Sequence, residues 1–123
     1  MKLALFARLE AKPGKEQEVA DFLRQGLALA HQEATTLMWF ALRLGPTTFA
    51  IFDAFGDEAA RQRHLNGPIA QALMAQASAL FAMPPAIEPL EVLGAKLPAY
   101  RAVGGKLMGR RSAHRFARAM RDA

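Results

Sequence analysis

The chain has 123 residues, 52% of them apolar, which suits a single globular core. It carries 16 Lys and Arg against 11 Asp and Glu, a formal charge of +5, and no cysteine, which excludes a disulfide scaffold, a thiolate metal site, an Fe–S cluster and a cysteine nucleophile. Met1 to Phe6 offers one lysine before a handful of apolar residues, with Arg8 and Glu10 close behind; this does not read as a secretory signal, and no apolar run approaches the roughly 20 residues of a membrane span, so a cytoplasmic protein is the default expectation.

In chain order, Leu3, Leu5, Ala7 and Leu9 alternate with Lys2, Ala4, Phe6, Arg8 and Glu10, the period of a strand with one apolar face. Lys12-Pro13-Gly14 is a turn. From Lys15 to Gln32, Val19, Phe22, Leu23, Leu27 and Ala30 form one helical stripe, with Glu16, Glu18 and Asp21 in the first turns where the helix dipole favours carboxylates. Thr35 to Leu44 and Thr47 to Phe55 are rich in β-branched, aromatic and long apolar residues around Gly45-Pro46, and predict a hairpin. Gly56-Asp57 caps a short helix reaching Leu65, Asn66-Gly67-Pro68 ends it and starts another, and Pro84-Pro85 stops that one. Ala86 to Leu93 is a fourth strand, whose Pro89 requires a bulge or a sheet edge. The expected fold class is α+β: a ferredoxin-like β-α-β-β-α-β chain with an antiparallel sheet covered on one face by helices.

Charge divides the chain. Residues 1–94 have a net charge of −2 and residues 95–123 of +7, so the basic character belongs to the tail. The expected organisation is a domain over residues 1–97 and a basic amphipathic tail over 98–123. Leu107, Met108, Phe116 and Met120 interleave there with arginines and Lys106, as a helix docking on a partner or lying in solvent would arrange them. With one aromatic in that run and no repeated stacking groups, nucleic acid is not an expected partner, while membrane contact through the tail stays open. Strands two and three are apolar on both faces, so either a second subunit or the tail covers the second face. A homodimer is the favoured arrangement.

Trp39 to Pro46, Thr48 to Phe55, Asp57-Glu58 with Arg61, and His64-Leu65-Asn66-Gly67-Pro68, together with Ala7-Arg8 and Ala11-Lys12-Pro13-Gly14-Lys15, resemble the antibiotic biosynthesis monooxygenase family and its small quinol monooxygenase-like members. The resemblance spans roughly residues 1–97. It implies a dimeric α+β barrel and cofactor-free oxidation of a small phenolic or hydroquinone-type aromatic by dioxygen in a cleft between sheet and helices. A deprotonated electron-rich ring can pass an electron to dioxygen directly, so the protein need only bind it, take its proton and exclude water. The same fold also serves binding proteins without turnover.

Within that frame His64, after strand three, is the candidate base; its bland alternative is a surface histidine at a helix C-terminus. Trp39 and Phe52 are candidate walls. With a two-residue Gly45-Pro46 loop they face one another, on the side that carries Arg43 as a cation at the rim. Asp53 then lies on the opposite side, with Arg8 as its expected ion-pair partner. Asn66 is a substrate hydrogen-bonding candidate or simply a turn residue. Met74, Phe81 and Met83 read as core or pocket wall. There is no phosphate-binding Gly-rich loop, paired-His metal spacing or serine nucleophile elbow, and neither metal nor cofactor is expected.

Overall fold

The alternation of Leu3, Leu5, Ala7 and Leu9 builds strand β1 (Leu3–Glu10) in a computed structural model that describes residues 1–98 and the backbone of Tyr100–Arg101 and Leu107–Met108. Gly14 takes φ +84°, a left-handed conformation that a side chain would strain, and reverses the chain into helix α1 (Glu16–Gln32). Strands β2 (Thr36–Arg43) and β3 (Thr48–Phe55) follow. Asp57 then caps helix α2 (Glu58–Leu65), its Oδ1 accepting the Ala60 N–H at 2.8 Å. Helix α3 (Pro68–Leu80) has Pro68 at its first position, and strand β4 (Ala86–Glu91) completes the sheet.

The order is β-α-β-β-α-α-β, a ferredoxin-like α+β fold in which the second helical segment is split in two. The sheet is antiparallel with order β2-β3-β1-β4. Edge position lets β4 carry Pro89, which sits across from Leu5 without interrupting an interior ladder. Ala7, Leu9, Val19, Leu23, Phe49, Ile51, Leu73 and Phe81 are buried together between sheet and helices. A smaller cluster of Leu5, Phe55 and Ala60 lies under α2. Among the described residues, no helix is long and apolar enough to cross a membrane.

The hairpin differs from the sequence expectation by one residue. Arg43 pairs with Phe49 and the Leu44 N–H donates to the Thr48 carbonyl at 2.8 Å, leaving Gly45, Pro46 and Thr47 as the loop. Glu10 accepts the hydroxyls of Thr47 and Thr48, each at 2.6 Å, and the Ala11 N–H donates to the Thr47 carbonyl at 2.9 Å. A slip of one residue exchanges the faces of a strand. Trp39 therefore opposes Asp53, not Phe52, and Phe52 opposes Phe40. The helix-covered face carries Trp39, Arg43, Phe49, Ile51 and Asp53; the open face carries Phe6, Arg8, Phe40, Leu42 and Phe52. Arg8 and Asp53 are thus on opposite sides of the sheet. The expected ion pair is replaced by an exposed Arg8 whose guanidinium sits 6.0 Å from the Phe6 ring centroid.

The chain separates into two compact units, Met1–Leu93 and Gly94–Ala123. In the second, strand β5 (Tyr100–Arg101) pairs antiparallel with strand β6 (Leu107–Met108). Leu107 and Met108 are consequently strand and not part of a docking helix. Phe116, Met120 and His114 lie outside the described residues.

Candidate functional site

His64 occupies the last turn of α2, where a surface position would be ordinary, yet it is only 7% exposed. Its ring packs against Phe55 at a centroid distance of 5.2 Å. The Nδ1 atom lies 2.7 Å from Glu33 Oε1, just beyond the end of α1, and Nε2 lies 2.8 Å from Asp53 Oδ2 on β3. Both ring nitrogens meet carboxyl oxygens, an arrangement that favours the protonated ring. Burial by itself would favour the neutral ring, but Asp53 and then Glu33 outweigh it, and the His64 pKa is raised above its usual value. Two carboxyls around one imidazole leave one negative charge over when all three groups are charged.

The cluster is not saturated. Asp53 Oδ1 and Glu33 Oε2 are buried and lack a hydrogen-bond partner among the described residues. Glu33 Oε1 also accepts the Thr36 hydroxyl at 2.9 Å, which ties the start of β2 to the same carboxyl. Asp53 is 2% exposed, and a buried charge of this kind requires a compensating partner; His64 is that partner.

Next to the cluster, an apolar cavity of about 200 Å³ lies between α1, α3 and the sheet, lined among others by Phe22, Gly26, Trp39, Ile51, Ile69 and Leu73. Trp39 and Ile51 connect the two features: Trp39 is the cross-strand neighbour of Asp53, and Ile51 precedes Asp53 by two positions on the same face of β3. None of His64, Glu33 and Asp53 lines the cavity itself; Trp39 and Ile51 stand between it and the cluster along the sheet. Among the described residues, no group of three or more His, Cys, Asp or Glu side chains is arranged to hold a metal ion.

The remaining candidates are elsewhere. Phe52 lies on the open face, 6.3 Å centroid to centroid from Phe40. Arg43 stacks over Phe49 at 4.8 Å on the covered face but at an exposed position. Asn66 is exposed and caps α2 by donating from Nδ2 to the Gln62 carbonyl at 3.0 Å. Phe81 is core, whereas Met74 and Met83 are exposed. Sequence reasoning missed Glu33, an isolated acid after a helix end with no local pattern to mark it. It also missed Gly26, for which a signal existed: glycine inside a helix costs about 1 kcal/mol relative to alanine and usually marks a close approach.

Residues 3–76 match the antibiotic biosynthesis monooxygenase family over more than half of the chain. The chain belongs to that family. Among solved structures, a Nitrosomonas europaea protein of unknown function, NE2512, is 63% identical, with a TM-score of 0.78 over 80% of this chain and 96% of that one. PA3566 from Pseudomonas aeruginosa is 26% identical, with a TM-score of 0.66 over 76% and 95%. Rv0793 from Mycobacterium tuberculosis, 18% identical with a TM-score of 0.68 over 77% and 98%, is similar in fold. No curated protein matches the chain.

Proposed function

We propose that this member of the antibiotic biosynthesis monooxygenase family oxidises a small phenolic or hydroquinone-type aromatic with dioxygen, without a cofactor. The observation that carries the reading is a buried Glu33–His64–Asp53 cluster joined through Trp39 to an apolar cavity. In this reading the phenolic proton passes to Asp53, which Trp39 and Ile51 join to the cavity wall, and His64 holds Asp53 and Glu33 in place. The apolar walls exclude water from the resulting anion. Electrons balance: a hydroquinone becoming a hydroxyquinone supplies the four electrons with which dioxygen ends as one ring oxygen and one water, so no external reductant enters.

The active form is a homodimer in this reading, with Phe6, Phe40, Leu42 and Phe52 of the open sheet face meeting a second copy. Phe40 is 44% and Leu42 37% exposed in the single chain. A stable contact of this type buries about 800 Å² or more per subunit. Sedimentation at micromolar concentration should give a dimer; a monomer removes this part of the reading.

Oxygen consumption with a panel of hydroquinones, naphthols and anthrols, after dialysis against a chelator, tests the reaction. Turnover is expected with at least one of them, and Asp53→Asn should slow it by about a hundredfold or more. No consumption across the panel, or a requirement for added flavin or iron, overturns the proposal. A ligand-binding protein without turnover is the second reading, favoured by the fact that both ring nitrogens of His64 are already engaged.

A further inference from the structure

The basic excess of the chain takes no part in the site described above. It belongs to the second compact unit, Gly94–Ala123, in which β5 and β6 set Arg101 across from Leu107. NE2512, PA3566 and Rv0793 match over 95% or more of their own length but over at most 80% of this chain. The remainder of this chain, comparable in length to residues 99–123, is therefore additional to the fold they share. A function for it has to be sought in its own chemistry.

After β6, residues 109–123 hold five arginines and His114 against one acid, Asp122, and no lysine. Their spacing sorts them. Ala113, Phe116, Ala117 and Met120 follow the i, i+3, i+4, i+7 pattern of one helical face, while Arg111, Arg115, Arg118 and Arg121 succeed one another every three or four residues on the opposite face. A segment that only neutralises nucleic-acid phosphates needs the charges but not their separation from apolar residues, and one that holds single strands carries repeated stacking groups, of which Phe116 is the lone example here. The apolar face is also thin. Phe116 and Met120 stand among alanines, short of the run of large anchors with which a helix fills a protein groove. A lipid surface needs both faces and tolerates a thin apolar one, because anionic headgroups supply most of the attraction.

We infer that residues 109–123 seat this protein reversibly on an anionic phospholipid surface, the arginines on lipid phosphates and Phe116 and Met120 in the boundary between headgroups and acyl chains. The planar guanidinium donates two parallel hydrogen bonds to a phosphate, which suits arginine and not lysine to these positions. This inference does not depend on the proposed reaction.

Flotation of the full chain with vesicles of phosphatidylcholine containing phosphatidylglycerol, against vesicles of phosphatidylcholine alone, tests it. The unmodified protein should bind the anionic vesicles at least about tenfold more tightly, and raised salt should release it. Joint substitution Arg111→Glu, Arg115→Glu and Arg118→Glu should abolish binding. The same change of charge at the exposed Lys2, Arg24 and Arg63 of the folded domain should leave it within about threefold. Phe116→Ser with Met120→Ser, which alters no charge, should weaken binding by about tenfold. No preference for the anionic vesicles, binding that survives the arginine substitutions, an equal loss from the domain substitutions, or full affinity after both serine substitutions overturns the inference. Displacement of the protein from the vesicles by duplex DNA or RNA at equal phosphate concentration also overturns it, in favour of nucleic acid.

Discussion

The two ends of the β1–β3 ladder each hold a carboxylate, and they stabilise it by different means. At the hairpin end, Glu10 accepts two threonine hydroxyls near the surface, and these hydrogen bonds, first Thr47 and then Thr48, lower its pKa. At the other end, Asp53 is buried, and a charged imidazole shared with Glu33 compensates it. Neutral donors suffice where water completes the solvation. In the interior a counter-charge is required.

The largest effect should come from removing the hub. His64→Leu leaves two buried carboxyls facing one another without their cation, an expected loss of about 3–5 kcal/mol and a melting temperature lower by more than about 10 °C. A thermal melt within a degree or two of the parent would show that the cluster is not a compensated charge site.

An intermediate effect separates the two ends by the sign of their pH response. The folded state holds the His64 proton above the usual value of 6.5, so this contribution is complete below that value and fades as the pH rises through the folded-state pKa. Its slope is at most about 1.4 kcal/mol per pH unit. Glu10 behaves oppositely: its contribution is present above the usual value of 4.5 and is lost as the pH falls through its lower folded-state pKa. Melting temperatures from pH 4 to 9 should therefore decline toward both limits. A His64→Gln variant should flatten only the alkaline limb, and a variant that flattens both would break the distinction.

The smallest effect belongs to the hairpin end. Thr48→Val removes one hydroxyl from Glu10 while Thr47 and water still serve it, and the melting temperature should fall by under about 3 °C. A drop as large as that of His64→Leu would mean that Glu10 is a structural keystone.

Patterns of short range were legible before the tertiary structure. Alternation in residues 3–9, the stripe through Val19 and Leu23, Asp57 as a cap, Pro68 at a helix start and Pro89 at an edge each depend on neighbours a few residues away, and together they specify the ferredoxin-like order. His64 could be singled out by its position after β3 and its side-chain chemistry. Its partners could not. Whether Asp53 shares a face with Trp39 turns on a single residue of hairpin register, which the Gly45-Pro46 run does not announce. Glu33 reaches His64 across a sequence separation of 31, so no local pattern announces it.

Over residues 3–91 the sequence by itself determined the strands, the helices and the family, because hydrophobic period, caps and breakers act within a few residues. Only the tertiary structure decided which acids surround His64, that Trp39 and not Phe52 walls the cavity, and that Gly26 yields space to the indole. Those outcomes depend on which face each strand presents and how closely a helix approaches it, and a one-residue change in pairing reverses the first without altering any local preference.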